Sequence, residues 1–351
     1  MNGGGNEVQI AFFDAKPYDI PAFEKLGREN GISITFLDTK LNRDSVALAA
    51  DCQAVCVFVN DRVDAEVIDR LHERGVALIA LRCAGYNNVD IKHAFGKVHV
   101  VHVPAYSPHA VAEHAMALLL TSVRRIHKAY NRTREFNFSL TGLTGFDLHG
   151  KTVGIVGAGK IGCIFGEICR GFGMKILAND PYPVDMPGFA FVGLDELFEK
   201  SDIISLHCPL TAETEHLIHR ESIRKMKKGV VLLNTSRGKL IDTEALIDGI
   251  KERKIGAACL DVYEEEGNIF YNDFSGHIVD DDLLARLISM PNVIVTSHQG
   301  FLTEEALQNI AETTIRNVMT FLQGDRLCEN ELCYHCGKIE HCIRERMGKC
   351  F

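Results

Sequence analysis

Three short polar segments could carry chemistry, because each follows an apolar, strand-like run of the chain. They are residues 234–238 (NTSRG), 261–266 (DVYEEE) and 297–299 (SHQ). In open α/β sheets the ligand lies at the carboxyl ends of the strands. We therefore expect side chains of these segments to meet at one edge of a sheet. Arg237, Glu266 and His298 are the three that could react there.

These three residue types meet the needs of one reaction, the reduction of a 2-keto acid. An arginine can bind a carboxylate through two parallel hydrogen bonds, which a lysine cannot do. A histidine can protonate the developing alkoxide, and a neighbouring carboxylate favours its protonated form. We assign these roles to Arg237, His298 and Glu266. Glu264 and Glu265 are expected to be exposed, because a run of acids usually forms a solvated face.

A glycine-rich segment predicts a dinucleotide site. The apolar run 153–156 leads into GAGKIG at 157–162, and an apolar helical stretch follows. In this arrangement Gly157 permits a tight turn, Gly159 lets a pyrophosphate approach the backbone and Gly162 allows close packing of the helix. The alternative is a tight connection without a ligand, which the complete strand, loop and helix pattern disfavours.

Asp180 ends the next strand and would accept hydrogen bonds from the ribose hydroxyls. No arginine follows it, so the sequence favours NAD over NADP. His207 is expected either near the cofactor or as a structural histidine. The candidate cofactor contacts are Gly157, Gly159, Lys160, Ile161, Gly162, Asp180, His207, Cys208, Pro209, Thr235, Ser236 and Asp261.

Two series of strands and helices must position these residues, which predicts an α/β protein with two Rossmann-like parallel sheets. The first series has apolar runs at 8–13, 32–37, 54–59 and 77–81, and the second has six runs between 153 and 296. A helix at 303–322 is expected to return to the first domain. We predict a discontinuous, flavodoxin-like substrate domain (1–102 and 300–330), a doubly wound NAD-binding domain (103–299) and a tail (328–351).

Composition narrows the function classes. The chain has 351 residues and a formal net charge of -9, which disfavours a nucleic-acid partner because phosphate contacts need clustered cations. No stretch approaches the roughly 20 apolar residues of a membrane helix, and the first residues lack a signal-peptide pattern. Seven cysteines in apolar runs are expected to be reduced thiols. We expect a cytoplasmic protein without membrane contact.

Six motifs together resemble the fermentative D-lactate dehydrogenases of the D-isomer-specific 2-hydroxyacid dehydrogenase family. They are RCAGYNNVD at 82–90, VPAYSPHAVAEH at 103–114, GAGKIG, NTSRG, DVYEEE and SHQ. The similarity covers roughly residues 8–327. It implies reduction of pyruvate to the D-hydroxy acid, two domains around a cleft, and a homodimer or a dimer of dimers. It also supports Glu266 over Glu264 as the partner of His298.

The resemblance further implies a substrate-binding group. The loop Cys83, Ala84, Gly85 and Tyr86 matches the segment whose backbone amides bind the substrate carboxylate. Phe58, Tyr106 and Phe301 match positions around the substrate side chain. An apolar pocket of this kind suits pyruvate better than a charged keto acid.

Five cysteines in the tail depart from the family pattern. They are Cys328, Cys333, Cys336, Cys342 and Cys350. Thiolates at such spacings can bind zinc, and the first three resemble one iron–sulfur spacing. Reduced thiols or incidental disulfides are the alternative. The weak candidate ligands are Cys328, Cys333, Cys336 and Cys342.

Two other functions stay open at this point. The same fold serves in NADH-sensing corepressors that bind short peptides, and such proteins can retain the arginine, glutamate and histidine. Relatives in the same enzyme class act on larger 2-keto acids or on hydroxypyruvate. Rapid turnover of pyruvate would separate the main hypothesis from both.

Overall fold

The computed structural model describes residues 8–324 and 330–334, and these form two compact units. Unit 1 contains the described residues up to Ser107 and from Thr303 onward. Unit 2 is Pro108–Leu302. The boundaries between the units, after Ser107 and after Leu302, lie a few residues beyond the predicted bounds at 102 and 299. The first falls where a helix begins at Pro108, a residue suited to a first helical turn.

Unit 1 is built on five parallel strands in the order β2-β1-β3-β4-β5, the flavodoxin-like order. Its elements are β1 (Val8–Phe12), α1 (Ile20–Glu29), β2 (Ile32–Phe36), a 3-10 turn (Val46–Ala49), β3 (Ala54–Val57), α2 (Ala65–Glu73), β4 (Leu78–Leu81), α3 (Ile91–Ala94) and β5 (His99–Val101). The sequence predicted four of the strands. It missed β5, which has three residues and begins with a histidine.

Unit 2 holds seven parallel strands in the order β12-β11-β10-β9-β6-β7-β8. Its helices are α4 (Pro108–Val123), α5 (Ile126–Arg134), α6 (Lys160–Gly171), α7 (Leu194–Lys200), α8 (Arg220–Lys225), α9 (Thr243–Lys251) and α10 (Asp282–Ser289). Its strands are β6 (Thr152–Val156), β7 (Lys175–Asn179), β8 (Phe189–Phe191), β9 (Ile203–Leu206), β10 (Val230–Asn234), β11 (Ile255–Leu260) and β12 (Val293–Val295). The predicted doubly wound fold is confirmed, with β8 as an additional edge strand.

Helix α4 is the element of unit 2 that matters most for the site. It packs against α6 and lies on β10, β11 and β12, and most of its residues are buried. Ala112, Ala115 and Leu119 join one core with Phe165 of α6 and Cys259 of β11. A helix that is apolar on most of its surface is expected in such an interior position.

The last helix, α11 (Glu304–Leu322), returns to unit 1, where it contacts α1 and β4. The Thr303 hydroxyl caps it by accepting from the Ala306 amide at 3.2 Å. The chain then meets the sheet edge again, because Glu331 pairs with Val101 of β5 in an antiparallel bridge. Glu331 is buried and lies 2.8 Å from His99 Nδ1. Residues 330–334 therefore belong to unit 1 and not to a separate tail.

In the described residues we find no helix that is both long and apolar enough to span a membrane.

Candidate active site

The predicted glycine loop lies between β6 and α6, and glycine suits each of its three positions for a different reason. Gly157 has φ +94, and an added Cβ would lie 2.5 Å from the Cys208 amide nitrogen. A Cβ on Gly162 would lie 2.0 Å from the Gly157 carbonyl oxygen. Gly159, at the start of α6, has nothing within 4 Å of a Cβ position. This open space at a helix N-terminus fits a pyrophosphate.

Two further observations fit a dinucleotide. Asp180 follows β7, and its two carboxylate oxygens accept from the Ala158 and Tyr182 amides at 2.8 Å each. A carboxylate has about four acceptor sites, so capacity for ribose hydroxyls remains. The buried Thr235 hydroxyl after β10 has no hydrogen-bond partner within the described chain. A buried polar atom of this kind is explained by a ligand group.

Among the remaining predicted cofactor contacts, some are exposed on loops and others are held by contacts within the protein. Lys160 and Pro209 are exposed, whereas Ile161 packs on the core. Ser236 Oγ donates to the Cys208 carbonyl at 2.7 Å, which joins the loops after β9 and β10. His207 Nε2 lies 2.8 Å from Ser205 Oγ, and burial lowers the pKa of His207 to about 4. His207 is thus held within the protein, and its place near the cofactor stays a prediction.

Glu266 and His298 meet as predicted. His298 Nδ1 lies 2.8 Å from Glu266 Oε1, and both side chains are about one-fifth exposed. The other carboxylate oxygen, Oε2, accepts from the Tyr263 amide at 2.8 Å, which fixes the orientation of the glutamate. Since the ionised carboxylate only accepts, Nδ1 carries the proton and Nε2 is the nitrogen left for a substrate.

Arg237 stands on a loop that is packed against the loop of Glu266. The Asn234 side chain donates to the Arg237 carbonyl at 2.8 Å and accepts from the Ser236 amide at 3.0 Å. A Cβ on Gly238 would lie 2.0 Å from the Tyr263 carbonyl oxygen, so only glycine allows this approach. Arg237 forms no ion pair in the described part of the chain. Its charge is available for an anion.

Asp261, a predicted cofactor contact, also holds the loop after β12. Its carboxylate accepts from Thr296 Oγ1 at 2.6 Å and from the Gln299 and Gly300 amides at 2.9 and 2.8 Å. Its carbonyl accepts from the His298 amide at 2.7 Å. The side chain thus organises the turn that carries His298, and its acceptor sites are used within the protein.

Glu264 corrects another expectation, because it is not a solvated neighbour. Its Oε1 lies 2.6 Å from His216 Nε2, and its Oε2 accepts from Thr243 Oγ1 at 2.8 Å. This glutamate ties the loop after β11 to the start of α9. Glu265 is exposed, as expected.

Unit 1 carries the predicted substrate loop directly after β4. The backbone N–H groups of Ala84, Gly85 and Tyr86 donate to no acceptor in the described residues. Three free amides in succession can bind an anion. The Cys83 thiol donates to the Gly85 carbonyl at 3.2 Å, and His102 Nδ1 donates to the Ala84 carbonyl at 3.0 Å. These bonds hold the loop without using its amides.

The aromatic residues assigned to the substrate side chain are distributed over both units. Tyr86 is 42% exposed and makes an edge contact with His102. Phe58 is buried in unit 1, Phe301 is buried in unit 2, and the Tyr106 carbonyl accepts from Asn309 at 2.8 Å. Tyr86, which was assigned to the amide loop and not to the side-chain positions, is the exposed ring among these four.

The sequence analysis missed the buried cation that supports the substrate loop. Arg82 is 1% exposed and donates to the Phe13 and Asp14 carbonyls at 3.0 and 2.7 Å. Its guanidinium lies 4.7 Å from the Phe58 ring centre and pairs with Asp19 at 3.3 Å.

A second buried acid completes this framework. Asp61 accepts from the Leu41 and Phe58 amides, and burial raises the pKa of Asp61 to about 6 despite the attraction of Arg82. A motif-based search could not find this cluster, because its acids come from separate loops.

The predicted metal ligands fall mostly outside the described residues. This applies to Cys328, Cys336 and Cys342, whereas Cys333 is described and is partly buried. Within the part of the chain that the structure describes, no group of His, Cys, Asp and Glu side chains could hold a metal ion.

Comparison with known proteins agrees with this site. The family model for "D-isomer specific 2-hydroxyacid dehydrogenase, NAD binding domain" matches residues 116–300. A 2-hydroxyacid dehydrogenase homolog of Haemophilus influenzae is 50% identical over 92% of this chain and 98% of its own. D-lactate dehydrogenase of Escherichia coli is 47% identical over 93% of this chain and 100% of its own. The predicted resemblance and the NAD-binding domain are confirmed.

Solved structures give the same result. The apo structure of the Escherichia coli enzyme superposes with a TM-score of 0.86 and covers 93% of this chain and 100% of its own. A structure described as the pyruvate reductase of Chlamydomonas reinhardtii has a TM-score of 0.86 and 42% identity. It covers 91% of this chain and 98% of its own.

The open space at Gly159 predicts a selective loss of cofactor binding. Gly159→Val adds a side chain that meets no protein atom at Cβ but occupies the phosphate position. We expect an unchanged melting temperature and NADH binding weakened by about tenfold or more in fluorescence titration. Gly171→Val, at the exposed end of the same helix, is the control and should bind NADH normally. Normal binding by the Gly159 variant would rule out this phosphate position.

Proposed function

We propose that this chain, which belongs to the D-isomer-specific 2-hydroxyacid dehydrogenase family and is an NAD-dependent oxidoreductase, reduces pyruvate to D-lactate. The observation that carries the proposal is the 2.8 Å hydrogen bond between His298 Nδ1 and Glu266 Oε1. The loop of Arg237 is packed against the same segment, so acid and cation belong to one group. Their combination suits a substrate with a carboxylate beside a carbonyl.

The substrate carboxylate is bound by the guanidinium of Arg237. Its lack of an acidic partner among the described residues supports this role, and its planar fork matches a carboxylate. In unit 1, the amides of Ala84, Gly85 and Tyr86, which donate to no acceptor among the described residues, keep the anion-binding assignment that the family resemblance gives them. Binding the carboxylate also fixes the adjacent carbonyl for attack, which is where positioning lowers the barrier.

His298 supplies the proton. NADH, which the loop of Gly157 and Gly159 together with Asp180 would hold, would supply the hydride for the carbonyl carbon, and the electron pair of the carbonyl π bond would move to the oxygen. That oxygen takes the proton from His298 Nε2, so that keto acid, hydride and proton become the hydroxy acid. Glu266 holds Nδ1 and stabilises the charged imidazolium before the transfer. In the reverse direction, neutral His298 accepts the proton from the hydroxyl group.

Pyruvate is the keto acid that we favour. The names of the Escherichia coli and Chlamydomonas reinhardtii relatives, a D-lactate dehydrogenase and a pyruvate reductase, support this choice. The buried aromatic rings of Phe58 and Phe301 are consistent with a small apolar substrate group. Cytoplasmic location is part of the proposal, supported by free, buried thiols such as Cys56 and Cys169, which fit a reducing compartment.

The partner that we propose for unit 2 is a second copy of the same chain. Residues 126–146, called the apolar arm here for the apolar side chains that they expose among polar ones, include Phe136, Phe138 and Leu140, each more than 70% exposed. Ile126 and Tyr130 of α5 add further exposed apolar surface. Contiguous exposed apolar side chains of this kind mark protein interfaces. Symmetric homodimers are the commonest way to cover such a surface.

Turnover of a keto acid panel tests the function. With NADH and pyruvate, 2-ketobutyrate, 2-ketoisocaproate, phenylpyruvate or hydroxypyruvate, we expect the highest kcat/KM for pyruvate and a product that chiral analysis identifies as D-lactate. A preference for 2-ketoisocaproate or phenylpyruvate would assign a larger substrate. NADH binding without turnover of any keto acid would instead support a nucleotide-sensing module.

Variants of the proposed catalytic group should separate turnover from cofactor binding. His298→Ala is expected to lower kcat by roughly 10³-fold, because the proton donor is lost. NADH affinity, measured by fluorescence, should stay within about twofold. Arg237→Lys should raise KM for pyruvate and lower kcat, since the charge remains but the paired hydrogen bonds are lost. Normal kinetics in either variant would contradict the corresponding role.

Charge introduced into the apolar arm should break the dimer. For the Phe138→Asp, Leu140→Asp double variant we expect a light-scattering mass of one 39.0 kDa chain, against at least twice that mass for the wild type. Ile278→Asp is the control, because Ile278 is 93% exposed but lies outside the arm. A monomeric wild type, or an unchanged mass in the double variant, would refute this interface.

A further inference from the structure

His114 is a polar residue in the largely buried helix α4. Its side chain is 17% exposed, between the buried residues Ala112 and Ala115. Its Nε2 lies 3.2 Å from Asp261 Oδ1 and 3.3 Å from Thr296 Oγ1. Its Cδ2 would lie 3.5 Å from a Cβ on Gly300. The His114 imidazole thus contacts Asp261 and Thr296 and lies beside Gly300. Asp261 holds residues 296–300, which we call the His298 turn.

That turn has an unusual backbone conformation. His298 has φ +54, in the left-handed region that few residues other than glycine occupy. The conformation persists because Asp261 binds both sides of it, through Thr296 before His298 and through the Gln299 and Gly300 amides after it. The orientation of the His298 ring therefore depends on Asp261 staying ionised, since a protonated carboxyl would turn one acceptor into a donor.

Burial alone would raise the pKa of Asp261, whose side chain is 1% exposed. The pKa is nevertheless lowered, because hydrogen bonds from His114 and Thr296 favour the carboxylate. A carboxylate only accepts hydrogen bonds, so His114 must carry its proton on Nε2 and donate it to Oδ1. Of the donors to Asp261, Thr296, Gln299 and Gly300 belong to the turn itself. His114 contributes from a separate and rigid helix.

We propose that His114 is a positioning residue that keeps the Asp261 carboxylate in place, and through it the His298 turn. This inference rests on the proposed function, in which His298 donates the proton. His114 does not touch the substrate in this role. Its effect is on the geometry of the transfer step, where a displacement of about 1 Å can cost roughly 100-fold in rate.

Three variants separate positioning from packing. His114→Leu fills the space without a donor, whereas His114→Gln places an amide N–H near the position of Nε2. His109→Leu is the matched control, because His109 is exposed on the same helix. We expect kcat for pyruvate to fall by roughly 100-fold in the leucine variant and to recover to within about tenfold of wild type in the glutamine variant. KM for pyruvate and NADH affinity should change by less than about threefold.

Hydrogen–deuterium exchange of residues 296–302 gives a readout that does not need turnover. The Gln299 and Gly300 amides should exchange faster in His114→Leu and at the wild-type rate in His114→Gln and His109→Leu. Unchanged exchange and unchanged kcat in His114→Leu would overturn the proposal. An equal loss of kcat in both His114 variants, together with a lower melting temperature, would also overturn it. If the wild type reduces no keto acid, the proposed function fails, and the exchange result alone decides the role of His114.

Discussion

The geometry of the candidate site in unit 2 depends on the buried carboxylate of Asp261. It stands at the end of β11 and receives hydrogen bonds from the turn after β12 and from α4. Those bonds hold His298 in a left-handed backbone conformation, and His298 in turn meets Glu266 from the loop after β11. A buried charge is costly unless it is fully hydrogen-bonded, and here the bonds that satisfy it also shape the site.

Unit 1 also has a buried ion beneath a loop, but here the ion is a cation. Arg82 is a buried cation at the end of β4, and backbone carbonyls, the Asp19 carboxylate and the Phe58 ring surround it. In the loop that follows, three successive backbone amides donate to no acceptor within the described residues. In both units a buried ion thus supports a loop that carries predicted site residues. Rigid support of this kind is what precise positioning of a substrate requires.

The sequence was most informative where burial is complete. Strands such as β3 and β10 are buried along their whole length and appear as continuous apolar runs, so they were predicted. The edge strands β5 and β8 have only three residues each and were missed, whereas β12, which is equally short, was predicted because it is a continuous Val-Ile-Val run. Gly157, Glu266 and His298 could be found because their motifs are local. The partners of Asp261, Glu264 and Arg82 are distant in the chain, and no local pattern reveals which acid is buried against which donor.

The chain order of the two units has a consequence for biosynthesis. The ribosome makes β1 to β5 first, then all of Pro108–Leu302, and only then α11, whose Ile310, Ala311 and Val318 are buried in unit 1. At about 5–20 residues per second, roughly 10 to 40 s pass between β5 and α11. During that interval unit 2 can complete its own core, whereas α1 and β4 lack the helix that covers them. The half of the protein that is begun first is therefore finished last, and a chain stalled before residue 303 presents bare apolar surface to chaperones and proteases.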